Sequence, residues 1–241
     1  MLGDLAAGFG LFAGYFVVAA SLLLALRAVL APPREVFRKM LHLICVMSVL
    51  VLVNLIDTWY IAAAVALLFG LTAYVAIWYV ERHTDHIHVL MPRRRGEIRS
   101  SLVIVFLMMA VLIAIFWGWM GEEWKYIVVV AVMTWGYGDA AAALVGKAVG
   151  RHPIRHPWVE GAKTREGSIA MWALSAGVLL VSLMRYTAWP WYLCLVCALL
   201  VAPICALVEL VSHDGLDTIT VPFAAAIPTV ALLALYSLVG G

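Results

Sequence analysis

Eight stretches of about 20 apolar residues, separated by short polar segments, set the kind of fold open to this 241-residue chain. They cover 5–30, 39–55, 59–80, 101–120, 125–149, 167–187, 190–211 and 219–239. A helix of that length crosses the ~30 Å hydrocarbon core of a bilayer, and lipid leaves backbone polar groups only helices or closed barrels in which to bond. The alternating pattern of a membrane barrel is absent. The expected fold is therefore an all-α, polytopic integral membrane protein of about eight transmembrane helices, with seven as the lower count. Composition agrees: 66% hydrophobic and 12% charged residues, with a mean hydropathy of +1.03, leave too little polar surface to cover a soluble globule.

Basic residues then orient the helices, because short cytoplasmic loops collect Lys and Arg. Loop 27–39 carries Arg27, Arg34, Arg38 and Lys39; loop 81–99 carries Arg82, Arg93, Arg94, Arg95 and Arg99. Loop 147–165 adds Lys147, Arg151, Arg155, Lys163 and Arg165, and only Lys125 and Arg185 of the 16 basic residues fall on the other side. The expectation is three cytoplasmic loops and both termini outside. Such loops favour anionic lipid or phosphate; with no soluble basic domain, nucleic acid is not an expected partner.

The first apolar segment lacks a basic n-region and is expected to be a retained helix. No linker or internal repeat divides the chain, so residues 1–241 read as one domain. Pro32-Pro33 should end the first helix, while Pro203, Pro222 and Pro228 should kink or break the late ones. Cys194-x-x-Cys197 lies in an apolar helix and reads as packing, not as a disulfide or zinc site. His83, Asp85, His86 and His88 read as an interfacial polar loop.

Chemistry is sought first at Asp139, which interrupts an apolar run. A carboxylate at the centre of a membrane helix costs roughly 2.5–3.5 kcal/mol on insertion scales, so it calls for an ion, a partner or a watery cavity. Lys147 lies about 12 Å along the helix from it and roughly 80° around, so the two are not a simple contact pair. Gly138, Ala142, Gly146 and Gly150 recur every four residues and read as a close helix–helix packing stripe.

Two further polar clusters sit at helix ends on the same predicted side. Arg38 and His42, four apart, share a face that can hold phosphate, although Arg34, Arg38 and Lys39 also serve as positive-inside anchors. Glu209, Asp214 and Asp217 flank the one predicted cytoplasmic loop without Lys or Arg. Carboxylates beside cationic loops are what a magnesium–nucleotide site requires; Asp214 reads as a plain turn residue. Neither Gly146-Lys147-Ala148 nor Gly161-Ala162-Lys163-Thr164 is a P-loop, since the first lacks the Ser/Thr after Lys and neither follows a strand. Lys163, Thr164 and the backbone N–H groups before Gly167 can still hold phosphate at a helix start.

These motifs fall in a recognisable order: Arg38-Lys39-x-x-His42, Gly138-Asp139-Ala140 with Gly146-Lys147-x-x-Gly150-Arg151, Lys163-Thr164-x-Glu166-Gly167-Ser168, then Glu209 and Asp217-x-x-Thr220-Val221-Pro222. Over residues 34–222 the chain resembles the CTP-dependent lipid alcohol kinases, the family of dolichol, phytol and polyprenol kinases and the CTP-dependent diacylglycerol kinase. Where that family commonly has Asp-Asn, Asp217 here precedes Thr218. The resemblance implies transfer of the γ-phosphoryl group of CTP to a membrane-resident alcohol, giving a lipid monophosphate and CDP. It implies Mg²⁺ on Asp139 and Asp217, with Glu209 as third ligand or as the base that orients the hydroxyl. Arg38, Lys147, Arg151, Lys163 and Thr164 would bind the phosphates, and His42 would position a phosphate or the acceptor. Trp135, Tyr137 and Phe223 are candidates for the lipid path, with packing as the plainer reading. A CTP:phosphatidate cytidylyltransferase and an ion-coupled transporter using Asp139 are the competing functions.

Overall fold

The computed structural model describes residues 1–83, 97–159 and 163–239. Its described residues are helical, without a strand, and contain eight helices long and apolar enough to cross a membrane. The chain is thus an all-α polytopic membrane protein. Helix limits fall within a few residues of the expected spans: α1 Leu2–Leu30, α2 Arg34–Asn54, α3 Trp59–His83, α4 Glu97–Leu112, α5 Tyr126–Val149, α6 Arg165–Tyr186, α7 Trp191–Val211 and α8 Asp217–Val239. The helix begun as α4 continues through wider, π-type winding at Ile113–Trp119. Residues group into two compact units, Met1–Lys125 and Tyr126–Gly241.

In the first unit, α1 stops where Ala31 turns left-handed (φ 41°) ahead of Pro32-Pro33, its N–H bonded to Arg27 O at 3.0 Å. Phe9, Phe12 and Phe16, spaced three and four apart on α1, meet Phe69 of α3. Phe106 of α4 joins them because Gly70 leaves it room: a Cβ there would lie 3.1 Å from Phe106 Cβ. Tyr15 ties α1 to α2 by donating to Ile44 O at 2.8 Å. Much of α1 carries exposed Val and Leu, as expected where lipid is the solvent. His83 packs on Tyr79 and bonds its carbonyl oxygen; Asp85, His86, His88 and Arg93 to Arg95 lie outside the described residues.

In the second unit, α5 packs on α6, α6 on α7, α7 on α8, and α8 back on α5, so four helices enclose one core. Ile127 to Val132 of α5 are all buried in it. The small-residue stripe does what its spacing predicts. A Cβ on Gly138 would sit 2.5 Å from Met171 Sδ and Ser175 Oγ, and one on Gly146 would sit 3.2 Å from Thr164 Oγ1. Cys194, Cys197 and Cys205 are buried thiols of the core. Of the kinks or breaks expected at proline, no break occurs: α7 runs on through Pro203, and α8 through Pro222 and Pro228. A missing N–H and local crowding are tolerated in a bundled membrane helix because neighbouring groups and small adjustments take up the freed carbonyl.

Candidate active site

Glycines decide how closely the two helices that build the site approach. On the side of α6, a Cβ on Gly167 would meet Ala142 O at 2.9 Å and Gly146 Cα at 3.4 Å. The obstruction is backbone and cannot swing aside. Gly167→Ala is therefore expected to cost about 1–3 kcal/mol as overpacking and to lower the melting temperature of the purified protein. Gly177→Ala on the same helix, where nothing lies within 4 Å, should leave it unchanged or raise it slightly.

The loop entering α6 is clipped at its ends. Arg165 N–H donates to His152 O at 3.0 Å and Ile154 N–H to Lys163 O at 2.9 Å. The Glu166 carboxylate bonds His152 Nδ1 at 2.6 Å and accepts from its backbone N–H at 3.3 Å. Thr164 is the N-cap of α6, its hydroxyl accepting from Gly167 N–H at 3.1 Å. Thr164 therefore has a structural duty besides the phosphate contact expected of it, and the preference of threonine for N-caps carries that signal in the sequence.

Held just before this cap, Lys163 reaches the end of α7. Its Nζ donates to the carbonyl oxygens of Glu209 and, at 3.4 Å, Ser212. It also pairs with Glu209 Oε1 at 3.1 Å, with only 23% and 13% of the two side chains exposed. An ammonium at a helix C-terminus satisfies carbonyls left without an intrahelical donor. Lys163 thus joins the start of α6 to the end of α7, which the sequence did not reveal.

Beyond α7 the chain reverses tightly. Asp214 (φ 53°) and Gly215 (φ 78°) are both left-handed, and Leu216 N–H donates to His213 O at 2.9 Å. Asp214 is the turn residue it was expected to be. The reversal places Asp217 at the first turn of α8, where Trp135 Nε1 donates to its Oδ2 at 3.5 Å. Trp135 is buried, so it anchors this carboxylate within the bundle. Asp139 lies four residues on from Trp135, one turn away on the same face of α5. The charges of Asp139 and Asp217 both act on Glu209, so carboxylates from α5, α7 and α8 share one electrostatic neighbourhood.

Asp139, Lys147, Lys163, Thr164 and Glu209 line a single cavity of about 140 Å³, with Gly146, Gly167 and Ser168 supplying small walls. Arg151 is exposed and lies outside this lining. Arg38 and His42 belong to the first unit and line a separate cavity there. Gly161 and Ala162 lie outside the described residues. No three His, Cys, Asp or Glu side chains form a metal-holding group among the described residues. An all-protein cage is not what magnesium needs, since it is usually held by one or two carboxylates together with substrate phosphates. The carboxylate of Asp139, on one cavity wall with Lys147 and Lys163, fits that mode. No family model, curated protein or solved structure matches the chain.

Proposed function

We propose that this protein transfers the γ-phosphoryl group of CTP to the hydroxyl of a membrane isoprenoid alcohol. The observation that carries the reading is the meeting of Asp139, Lys147, Lys163 and Glu209 around one small cavity. Phosphoryl transfer asks little covalent chemistry of a protein; alignment and charge neutralisation supply most of the acceleration. At about 30 Å³ per water-sized group, 140 Å³ holds a phosphoryl group with an ion, leaving the rest of the nucleotide at the mouth. CTP as donor and an isoprenoid alcohol as acceptor are what the resemblance to the lipid alcohol kinases implies.

On this reading Asp139 and Asp217 hold magnesium, which when bound offsets charge on the transferred group. Lys147 and Lys163 take the phosphate oxygens, and Thr164 sets the backbone of α6 against them. Glu209 orients the acceptor hydroxyl and receives its proton. The oxygen of the alcohol forms the new P–O bond as the bond to the β-phosphate breaks, and CDP leaves. Arg151 meets the nucleotide from the exposed loop. The site faces the cytoplasm, the side to which the sequence assigns its basic loops.

The test supplies full-length protein in lipid with γ-labelled CTP or ATP, magnesium, and a panel of polyprenols, phytol, farnesol and diacylglycerol. Label in an isoprenoid monophosphate, with CDP released from CTP, is the expected result. Release of pyrophosphate with a cytidylylated lipid would establish a cytidylyltransferase instead, and ion-driven uptake without nucleotide a transporter.

A further inference from the structure

Two short stretches between α5 and α6, 150–154 and 163–166, lie antiparallel to one another. Pro153 stands opposite Thr164, with Ile154 N–H donating to Lys163 O at 2.9 Å and Arg165 N–H to His152 O at 3.0 Å. Gly150 lets the first stretch press on the second: a Cβ there would come within 2.8 Å of Thr164 Cγ2. Two backbone bonds make a weak pairing, since even an isolated two-stranded hairpin is marginal in water. The Glu166 carboxylate reinforces it, taking the His152 ring at 2.6 Å on one oxygen and the His152 N–H at 3.3 Å on the other. It does so from the first turn of α6, where the helix dipole favours negative charge.

Lys163 depends on this clasp. Its carbonyl is one of the paired groups, and its side chain runs from there to Glu209 and Ser212. A lysine stem is flexible and loses much freedom when its ammonium is held in one place. Fixing the backbone beforehand reduces what remains to be lost, which is preorganisation. Neither His152 nor Glu166 lines the cavity that Lys163 and Thr164 line. Whatever the pair does for that cavity, it does through those two neighbours.

We infer that His152 and Glu166 are positioning residues: their paired side chains clasp 150–154 to 163–166 and so hold the Lys163 ammonium at the end of α7, ready for the triphosphate. The inference deepens the phosphotransfer reading, and its last clause rests on that reading. The clasp itself does not.

The test uses full-length protein in phosphatidylcholine nanodiscs. In the unaltered chain the Ile154 and Arg165 amides should exchange hydrogen about tenfold or more slower than those of an unstructured peptide. Toward a water-soluble acetylating ester, Lys163 should react about fivefold faster in His152→Ala and in Glu166→Ala, because local opening frees its side chain, while Lys125 should not change. His152→Asn, whose amide can take the place of ring Nδ1, should keep Lys163 protected. Initial rates should show the KM for CTP raised about tenfold in His152→Ala with kcat within about threefold, the mark of lost grip shared by ground and transition states. His152→Asn should restore that KM. Amide exchange at the unstructured rate, Lys163 acetylation unchanged in both alanine variants, or a lowered melting temperature with KM unchanged would overturn the inference. A chain that turns over no CTP would remove the phosphotransfer reading, and the exchange and acetylation results would still decide whether the clasp holds Lys163.

Discussion

Asp139→Asn is expected to reduce phosphoryl transfer about 10³-fold while leaving the fold intact. The substitution keeps the shape and removes the charge that would hold magnesium against the transferred group. Metal-derived stabilisation of a transition state amounts to several kcal/mol, and each 1.36 kcal/mol is a factor of ten in rate. Stability should move little or rise, because an amide is easier than a carboxylate to keep within a membrane helix. Initial rates with labelled CTP, measured beside a thermal melt of the same preparation, separate the two effects. Transfer within threefold of the unaltered protein would remove Asp139 from the mechanism.

Lys163→Met should produce the largest change in stability. The ammonium bridges two helix ends, and its loss strands the Glu209 carboxylate, whose side chain is only 13% exposed. Truncating one partner of a buried, hydrogen-bonded charge pair costs roughly 2–5 kcal/mol, and the partial exposure of Lys163 places the effect in the lower half of that range. Adding Glu209→Gln should restore part of the loss, since removing both charges leaves no orphan. The two substitutions should therefore couple by about 1 kcal/mol or more in a double-mutant cycle. Activity should not return in the double variant, because both groups also serve the proposed reaction. Simple additivity of the two stability changes would show that the pair does not bind the end of α7 to the start of α6.

Much of this architecture is legible in the chain because lipid imposes it. A run such as 190–211 has few other ways to satisfy its backbone, and α7 duly spans Trp191–Val211. The α5–α6 contact is legible for a similar reason: Gly138 and Gly146 announce a close neighbour, although not which one. The neighbour proves to be Met171, Ser175 and Thr164 of the next helix and its cap. Contacts across long sequence separations are another matter. Lys163 meets Glu209 46 positions away, and Trp135 meets Asp217 82 positions away. Residue type made each of the two acidic groups a candidate, but only the packing of α5, α7 and α8 puts them together. Trp135 was expected to pack or to line a lipid path; an indole N–H beside a carboxylate gives it a more specific task. Pro203, Pro222 and Pro228 do not end their helices, because a pyrrolidine ring forces a break in water more often than inside a membrane bundle.

In the proposed reaction Asp139 and Asp217 jointly hold a divalent cation with the triphosphate. Manganese, substituted for magnesium and followed by electron paramagnetic resonance in the presence of CTP, reports this directly. The account predicts one bound Mn²⁺ per chain, lost on Asp139→Asn and equally on Asp217→Asn. Undiminished Mn²⁺ binding in both variants would contradict it.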